Sequence, residues 1–213
     1  MKEVAILCPS LGKPEECSRF YDSVYATTDR ADVMLMYDPA DPRLPEYKYL
    51  GHMREPGEGF PQCIQRLWKR NPGYKYYMWG SDDLVMKEGW LDAILFDMDK
   101  YTDGVVVAWP DDGRHSLARH PIAGAPFVEA LGWFAYPKLV HPYVDNIITD
   151  LARGLGRLQC CRRSVIEHRH KPFTNVWPPE SETLAYNTYR NWYDTEREAD
   201  LAKLFERIQC SSQ

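Results

Sequence analysis

No apolar run in the 213-residue chain approaches the roughly 20 residues that cross a bilayer as a helix, so no membrane span is expected. The N-terminus also lacks the uninterrupted basic region of a secretory signal. Glu3 breaks it, and the stretch that follows reads better as a buried strand, which makes a cytoplasmic location the expectation. There is no excess of positive charge: Lys+Arg number 26 against 31 Asp+Glu, a net charge of -5, which argues against wholesale attraction to nucleic acid or anionic membrane. None of the six cysteines stands in a CxxC spacing, and Cys160 and Cys161 are adjacent. A chain of this length has a core without disulfide staples, so the thiols read as reduced small hydrophobes. Internal repeats and a convincing linker are also missing, and one domain is expected over 1–213, with a first half to residue 110 and a second half from 111. What is present is a globular composition, 44% hydrophobic and 27% charged with a mean hydropathy of -0.53, which excludes a disordered or fibrous chain.

The first half alternates strand and helix patterns. VAILCPS (4–10) is a continuous apolar run suited to a strand buried on both faces. Pro14 then opens a helix whose Cys17, Phe20, Tyr21 and Val24 fall on one stripe. VMLMYD (33–38) is a second buried strand. Pro61 starts a helix carrying Ile64, Leu67 and Trp68, which stops near Asn71-Pro72-Gly73. YKYYMWG (74–80) is the next strand, followed by the acidic turn SDD and a helix from near Lys87 with Leu91, Ile94, Leu95 and Met98 inward. This alternation predicts an α/β fold with a central mixed, mostly parallel sheet flanked by helices. The second half is less regular. GVVVAWP (104–110) reads as a strand, 111–136 as loops and short strands, and Val144, Ile147, Ile148 and Leu151 as the stripe of a helix behind Pro142 that Gly154 and Gly156 end. LQCC and VIEH read as two short strands. Thr195 and Glu198 have the spacing of a capping box opening a helix lined by Leu201, Leu204, Phe205 and Ile208.

In such sheets ligands bind beyond the carboxyl ends of the strands, which directs attention to PSLGKP, Asp38, Ser81-Asp82-Asp83 and WPDD. Two adjacent carboxylates repel unless a cation or hydrogen-bond donors compensate. A hard divalent metal does so and keeps positions open for phosphate oxygens; an isolated SDD, by contrast, ordinarily turns the chain and caps a helix. The wider context favours the metal. YYMWGSDDLVMKEGWLDAIL resembles the region around the acidic Asp-x-Asp-type motif of GT-A-fold glycosyltransferases, PSLGKPEECSRFYDSV their opening strand, turn and first helix, and LMYDP their second strand ending in a base-binding or ribose-binding aspartate. The likeness is to compact phage-type or bacterial enzymes of the family 2 kind, and extends more weakly over GWFAYPKLVHPYVDNIITDLARGLGRLQCCRRSVIEHRH.

The resemblance implies that Pro9, Ser10 and Leu11 line a nucleotide pocket, that Asp38 recognises base or ribose, Asp82 the ribose or donor sugar, and Asp83 a metal, Mn²⁺ or Mg²⁺. Ser81 stands where many relatives have a third acid. A late histidine often completes the metal shell in that family. Alternation puts His168 and His170 on one strand face; His168 is the chosen ligand, with His170 in reserve and as a candidate acceptor contact. Imidazole beside carboxylate favours Mn²⁺ over Ca²⁺. Asp145, one residue off the apolar stripe of its helix, is the candidate base for an acceptor hydroxyl, although an acid there also complements the helix dipole; Asp111 and Asp112 are the alternatives. Trp109, Trp133 and Phe134 offer flat faces for a sugar or base, while most aromatics so placed are core. Arg153, Arg157, Arg162, Arg163, Arg169 and Lys171 would neutralise a diphosphate or an anionic acceptor, or simply form a solvated basic face.

The implied activity is metal-dependent transfer of a sugar, with inversion, from a nucleotide-diphosphate sugar such as a UDP-sugar to a hydroxyl of a glycan or of a hydroxymethylated pyrimidine in DNA. Two other activities compete. A nucleotidyltransferase also sets an acidic pair beside a nucleotide, but PSLGKP lacks the Gly-rich, Arg-containing loop expected there. An inactive nucleotide-sugar-binding module would account for Ser81.

Overall fold

β1 (Val4–Ser10) is buried on both faces because it sits in the middle of the sheet, between β2 (Ala31–Tyr37) and β4 (Tyr76–Trp79). The computed structural model describes residues 2–113, 117–139, 142–169 and 179–211. Strand periodicity sorts the β1 side chains. Val4, Ile6 and Cys8 pack with Phe20 and Val24 of α1 (Pro14–Thr27), and Ala5 and Leu7 pack with Ile64 and Leu67 of α2 (Phe60–Arg70) on the other face. After β2 the chain makes a 3-10 turn at Leu44–Glu46 and adds the short edge strand β3 (His52–Met53). Asn71 ends α2 where the Asn-Pro-Gly signal predicts.

Beyond β4 come β5 (Leu84–Met86), α3 (Trp90–Met98), β6 (Val107–Asp111), β7 (Ile122–Gly124), α4 (Ala125–Leu131), α5 (Val144–Gly154), β8 (Leu158–His168), α6 (Pro179–Thr195) and α7 (Arg197–Cys210). Among the described residues the sheet has eight strands in the order β3-β2-β1-β4-β7-β6-β8-β5. The pairs β1–β2, β1–β4, β2–β3 and β6–β8 are parallel, and β4–β7, β6–β7 and β5–β8 antiparallel. Six strands therefore run one way, and only β5 and β7 oppose them. The expected α/β architecture with a mixed, mostly parallel sheet is the one found. Helices α1 and α3 cover one face; α2, α4, α5 and buried residues of α6 and α7 (Ala185, Trp192, Leu201, Leu204) cover the other. No helix among the described residues is long and apolar enough to cross a membrane.

Several local expectations are corrected. The helix after SDD begins at Trp90, not near Lys87, because Leu84–Met86 pairs with β8 and Gly89, with φ 73°, turns the chain in the left-handed region before the helix. LQCC and VIEH are parts of one eleven-residue strand, bulged where Pro110 faces Cys161 and the next pair is Asp111 with Val165. The 111–136 stretch contains α4 as well as loops and β7. Thr195 does not cap α7. It lies in the last turn of α6, where its hydroxyl donates to the Asn191 carbonyl at 2.7 Å, and Glu196 holds the cap position without a side-chain capping bond, its carboxylate accepting instead from Tyr136 and Lys138. Phe205 faces outward, 47% exposed, while Leu201 and Leu204 are buried.

Candidate active site at the carboxyl edge

Because six strands share one direction, their carboxyl ends meet at a single edge of the sheet. Ser10 ends β1, Asp38 follows β2, Ser81-Asp82-Asp83 follows β4, Asp111 and Asp112 close β6, and His168 ends β8. The opposing strands bring their entries to the same edge. His120 lies two residues before β7, and Asp83 directly precedes β5.

The turn after β4 comes close to β1. A Cβ at Gly80 would lie 2.9 Å from the Cβ of Cys8 and from Cγ2 of Ile6, so only glycine lets the strand end pack there. Asp82 is then buried against the β1–α1 turn. The Ser10 hydroxyl donates to its Oδ2 at 2.7 Å and the Lys13 ammonium reaches its Oδ1 at 3.2 Å. Burial pushes the Asp82 carboxyl up, against the pull of Lys13 and Ser10. Asp41, in the loop after β2, stitches the same turn. It accepts from the backbone N–H of Gly12 at 2.6 Å, from that of Arg43 at 2.9 Å and from the Tyr47 hydroxyl at 3.1 Å. Leu11 is 54% exposed at the rim. Asp38 accepts from the backbone N–H of Ala40 at 2.8 Å and from the Arg54 guanidinium, and these bonds hold its carboxyl below the usual range.

Asp83 points to a different cluster. Leu84 pairs with His168 across β5 and β8, and the N–H of Arg169 donates to the Asp83 carbonyl at 2.8 Å, so the strand register delivers His168 to Asp83. His168 Nε2 lies 3.4 Å from Asp83 Oδ2, and its Nδ1 lies 3.8 Å from Asp112 Oδ2. The Ser81 hydroxyl donates to Asp83 Oδ1. His120 packs edge-on against His168 with ring centroids 4.8 Å apart. Burial pushes the Asp83 carboxyl up, but the bonds from His168 and Ser81 more than offset it and hold it well below the carboxylate range. Asp112 and Asp83 raise His168 to about 9, while burial lowers His120 to about 4. In the metal-free protein a protonated His168 therefore sits between two carboxylates, beside a neutral imidazole.

The folded value of His168 is above its ordinary 6.5, so its contribution to stability is complete below pH 6.5 and disappears as pH rises through about 9. In metal-free protein, the imidazole resonances of His168 are expected to titrate near pH 9 in ¹H–¹⁵N spectra, and those of His120 to remain neutral to below pH 5. Titration of both rings near 6.5 would show that the cluster is not formed in solution.

The donor set fits a divalent metal. Asp112, His120 and His168 each offer one ligand atom, all within 4.8 Å of one another, and His120 Nε2 is buried with no hydrogen-bond partner among the described residues. Sequence reasoning placed Asp83 and His168 here but missed His120, and weighed Asp112 only as a base. The available signal was positional: His120 stands two residues ahead of an apolar IAG run that turns out to be a strand against β4.

The other candidates are not among these grouped donors. Trp109 and Trp133 are in the core, 5% and 8% exposed, with Phe134 fully buried beside Trp79. Asp111 accepts from the Gly113 N–H at 2.8 Å in the turn after β6. Asp145 is half-buried in the first turn of α5, its Oδ1 3.1 Å from the Asn146 nitrogen. Thr149, one turn further along α5, accepts from the N–H of Ala118 at 3.0 Å, two residues from His120. Arg157 precedes β8 at the opposite, amino edge and is held by Asp103 at 2.9 and 3.2 Å; Arg163 pairs with Asp97 at 3.1 Å. These two arginines balance local acids. His170 and Lys171 lie outside the described residues.

No protein-family model matches the chain, and no curated protein matches it by sequence. Solved structures match it by shape. S. aureus TarS (residues 1–349) in complex with UDP-GlcNAc superposes with a TM-score of 0.65 at 12% identity, over 97% of this chain and 72% of that one. The mannosyltransferase PcManGT from Pyrobaculum calidifontis, in complex with GDP-Man and Mn²⁺, gives 0.62 at 10% identity over 99% and 75%. The catalytic domain of Drosophila β1,4-galactosyltransferase 7 in complex with xylobiose gives 0.60 at 12% identity over 86% and 79%. The order and direction of the strands, the acidic turn at their carboxyl edge and these likenesses together identify the architecture as the GT-A glycosyltransferase fold.

Proposed function

We propose that the chain is a glycosyltransferase that moves a sugar from a nucleoside-diphosphate sugar, with a UDP-sugar the expected donor, to an acceptor hydroxyl. The observation that carries this reading is the meeting of Asp83, His168 and Asp112 beside the Ser10–Asp82 turn on a fold whose neighbours were solved with UDP-GlcNAc or with GDP-Man and Mn²⁺. Pro9, Ser10 and Leu11 line the nucleotide, Asp38 meets base or ribose, and Asp82 the ribose or donor sugar. Asp83 and His168 hold the cation, for which their mixed oxygen and nitrogen donors favour Mn²⁺ over Mg²⁺. When bound, the cation offsets the negative charge that grows on the departing diphosphate.

In the transfer, the bond from the sugar's anomeric carbon to the diphosphate oxygen breaks and a bond to the acceptor oxygen forms. Asp145 takes the acceptor proton as that oxygen attacks the face opposite the diphosphate, a single displacement that inverts the anomeric centre. Lys13, whose ammonium is half-exposed beside Asp82, adds positive charge at the diphosphate end. The net charge of -5 favours a glycan acceptor over DNA. The six unpaired cysteines suit a reducing compartment such as the cytoplasm.

Incubation with UDP-sugars in the absence of acceptor tests the reading. Slow release of UDP that Mn²⁺ stimulates and EDTA abolishes is the expected result. Nucleotide binding without turnover across a panel of UDP- and GDP-sugars and candidate acceptors would instead mark a binding module.

A further inference from the structure

The Asp83–His168 pair does not exhaust the donors at the carboxyl edge. His120, 8% exposed, enters from the loop before β7 with its Nε2 buried and without a hydrogen-bond partner among the described residues. A buried imidazole nitrogen left without a partner forfeits a hydrogen bond unless something fills the place, which makes it a marker for an ion or water. Asp112 enters from the end of β6, its side chain only 2% exposed. Both face His168, and the three ligand atoms lie within 4.8 Å of one another. Donors about 2.1 Å from one cation stand roughly 3.0 to 4.2 Å apart, so small side-chain torsions close the set.

We propose that His120 and His168 supply two imidazole ligands to a cation site completed by one of the flanking carboxylates, Asp83 or Asp112, with the other holding the His168 ring, and that this site takes a divalent transition metal before any nucleotide is bound. Asp83 and Asp112 face opposite nitrogens of the His168 ring. A cation takes only one nitrogen of an imidazole. The carboxylate on that side ligates, and the other accepts the remaining N–H, which fixes the ring and strengthens its donation. Both acids therefore act on the same cation. Two imidazoles also set its identity: nitrogen donors bind Co²⁺ and Zn²⁺ more tightly than Mn²⁺, and they suit Mg²⁺ and Ca²⁺, which prefer oxygen, poorly. This rests on the transferase reading for the metal's role, though not for its binding.

The test uses the full chain and Mn²⁺ alone, with no nucleotide. Electron spin-echo envelope modulation counts the ¹⁴N nuclei coupled to bound Mn²⁺, and the signal of free aqueous Mn²⁺ gives the affinity. Wild type is expected to bind one Mn²⁺ with two imidazole nitrogens coupled, and a hundredfold excess of Mg²⁺ is expected not to displace it. His120→Gln should lose one nitrogen coupling and weaken binding by at least about 10-fold, and Asp112→Asn should weaken it about as much with both couplings kept. Binding that requires UDP, a single nitrogen in wild type, or unchanged coupling in His120→Gln would overturn the proposal. Should His120→Gln fail to fold by circular dichroism, the wild-type nitrogen count and Asp112→Asn still decide it. Tight two-nitrogen binding in a protein that cleaves no nucleotide-sugar would sink the transferase reading and leave this site standing.

Discussion

Asp83→Asn is expected to lower the rate of glycosyl transfer on the order of 10³-fold, about 4 kcal/mol of transition-state stabilisation, and to remove most of the Mn²⁺ dependence of nucleotide binding. The substitution deletes the charge and keeps the shape. The Ser81 hydroxyl can still donate to the remaining side-chain oxygen, and the bond from the Arg169 N–H goes to the backbone carbonyl, which the substitution leaves in place. His168 keeps Asp112 as a partner. The β5–β8 pairing should therefore survive, with the melting temperature shifted by only a few degrees. Transfer rates with saturating UDP-sugar, measured beside UDP affinity with and without Mn²⁺, check the prediction. UDP affinity that still rises with Mn²⁺ as in wild type would remove Asp83 from the metal site.

Gly124→Ala is expected to cost about 3 kcal/mol or more, a fall in melting temperature of roughly 6–12 °C for a chain of this size. A Cβ at Gly124 would lie 1.9 Å from the carbonyl oxygen of Gly104 and 2.9 Å from its carbonyl carbon. Both contacts are backbone, so no side chain can swing aside. The 104–106 segment cannot easily retreat. The Gly124 N–H donates to the Val106 carbonyl at 3.0 Å, the Gly104 N–H donates to the Tyr101 carbonyl at 2.9 Å, and Val105 and Val106 are fully buried. Gly132→Ala is the control. Gly132, unlike Gly124, has a positive φ, 74°, but nothing lies within 4 Å of its would-be Cβ, so only the left-handed backbone cost of about 1–2 kcal/mol applies. Chemical denaturation of both variants checks the ranking, and equal losses would contradict it.

The strands and helices legible in the sequence are those whose apolar pattern is long enough to have a period. β1 and β2 read as continuous buried runs, and α1, α2, α3 and α5 as stripes with proline or glycine at their ends, because burial in these elements follows backbone geometry alone. The parts that escaped are short or depend on partners far along the chain. Three residues of β5 become a strand only because β8 lies beside them, and α4, seven residues behind a three-residue strand, offers too few turns to show a stripe.

The same division runs through the site. Clustered acids at a strand end are visible locally, and so is a histidine closing an apolar run, which is why Asp83 and His168 stood out. Their pairing needed the β5–β8 register. His120 has only its place two residues ahead of the short IAG run as a local signature; it reaches His168 because β7 is threaded between β4 and β6. Trp109 and Trp133 illustrate the converse, since an aromatic next to a carboxyl edge looks the same in sequence whether its ring faces the cleft or the core, and both are packed in the core.

In the proposed function a divalent cation and a nucleotide-sugar meet at the carboxyl edge, between the Ser10–Asp82 turn and the Asp83–His168 pair. A crystal grown with UDP-sugar and Mn²⁺, with diffraction collected at the manganese absorption edge, tests it most directly. One strong anomalous peak is expected within bonding distance of His168, with diphosphate density reaching toward Ser10 and Lys13. A peak elsewhere, or nucleotide bound away from that edge, would contradict it.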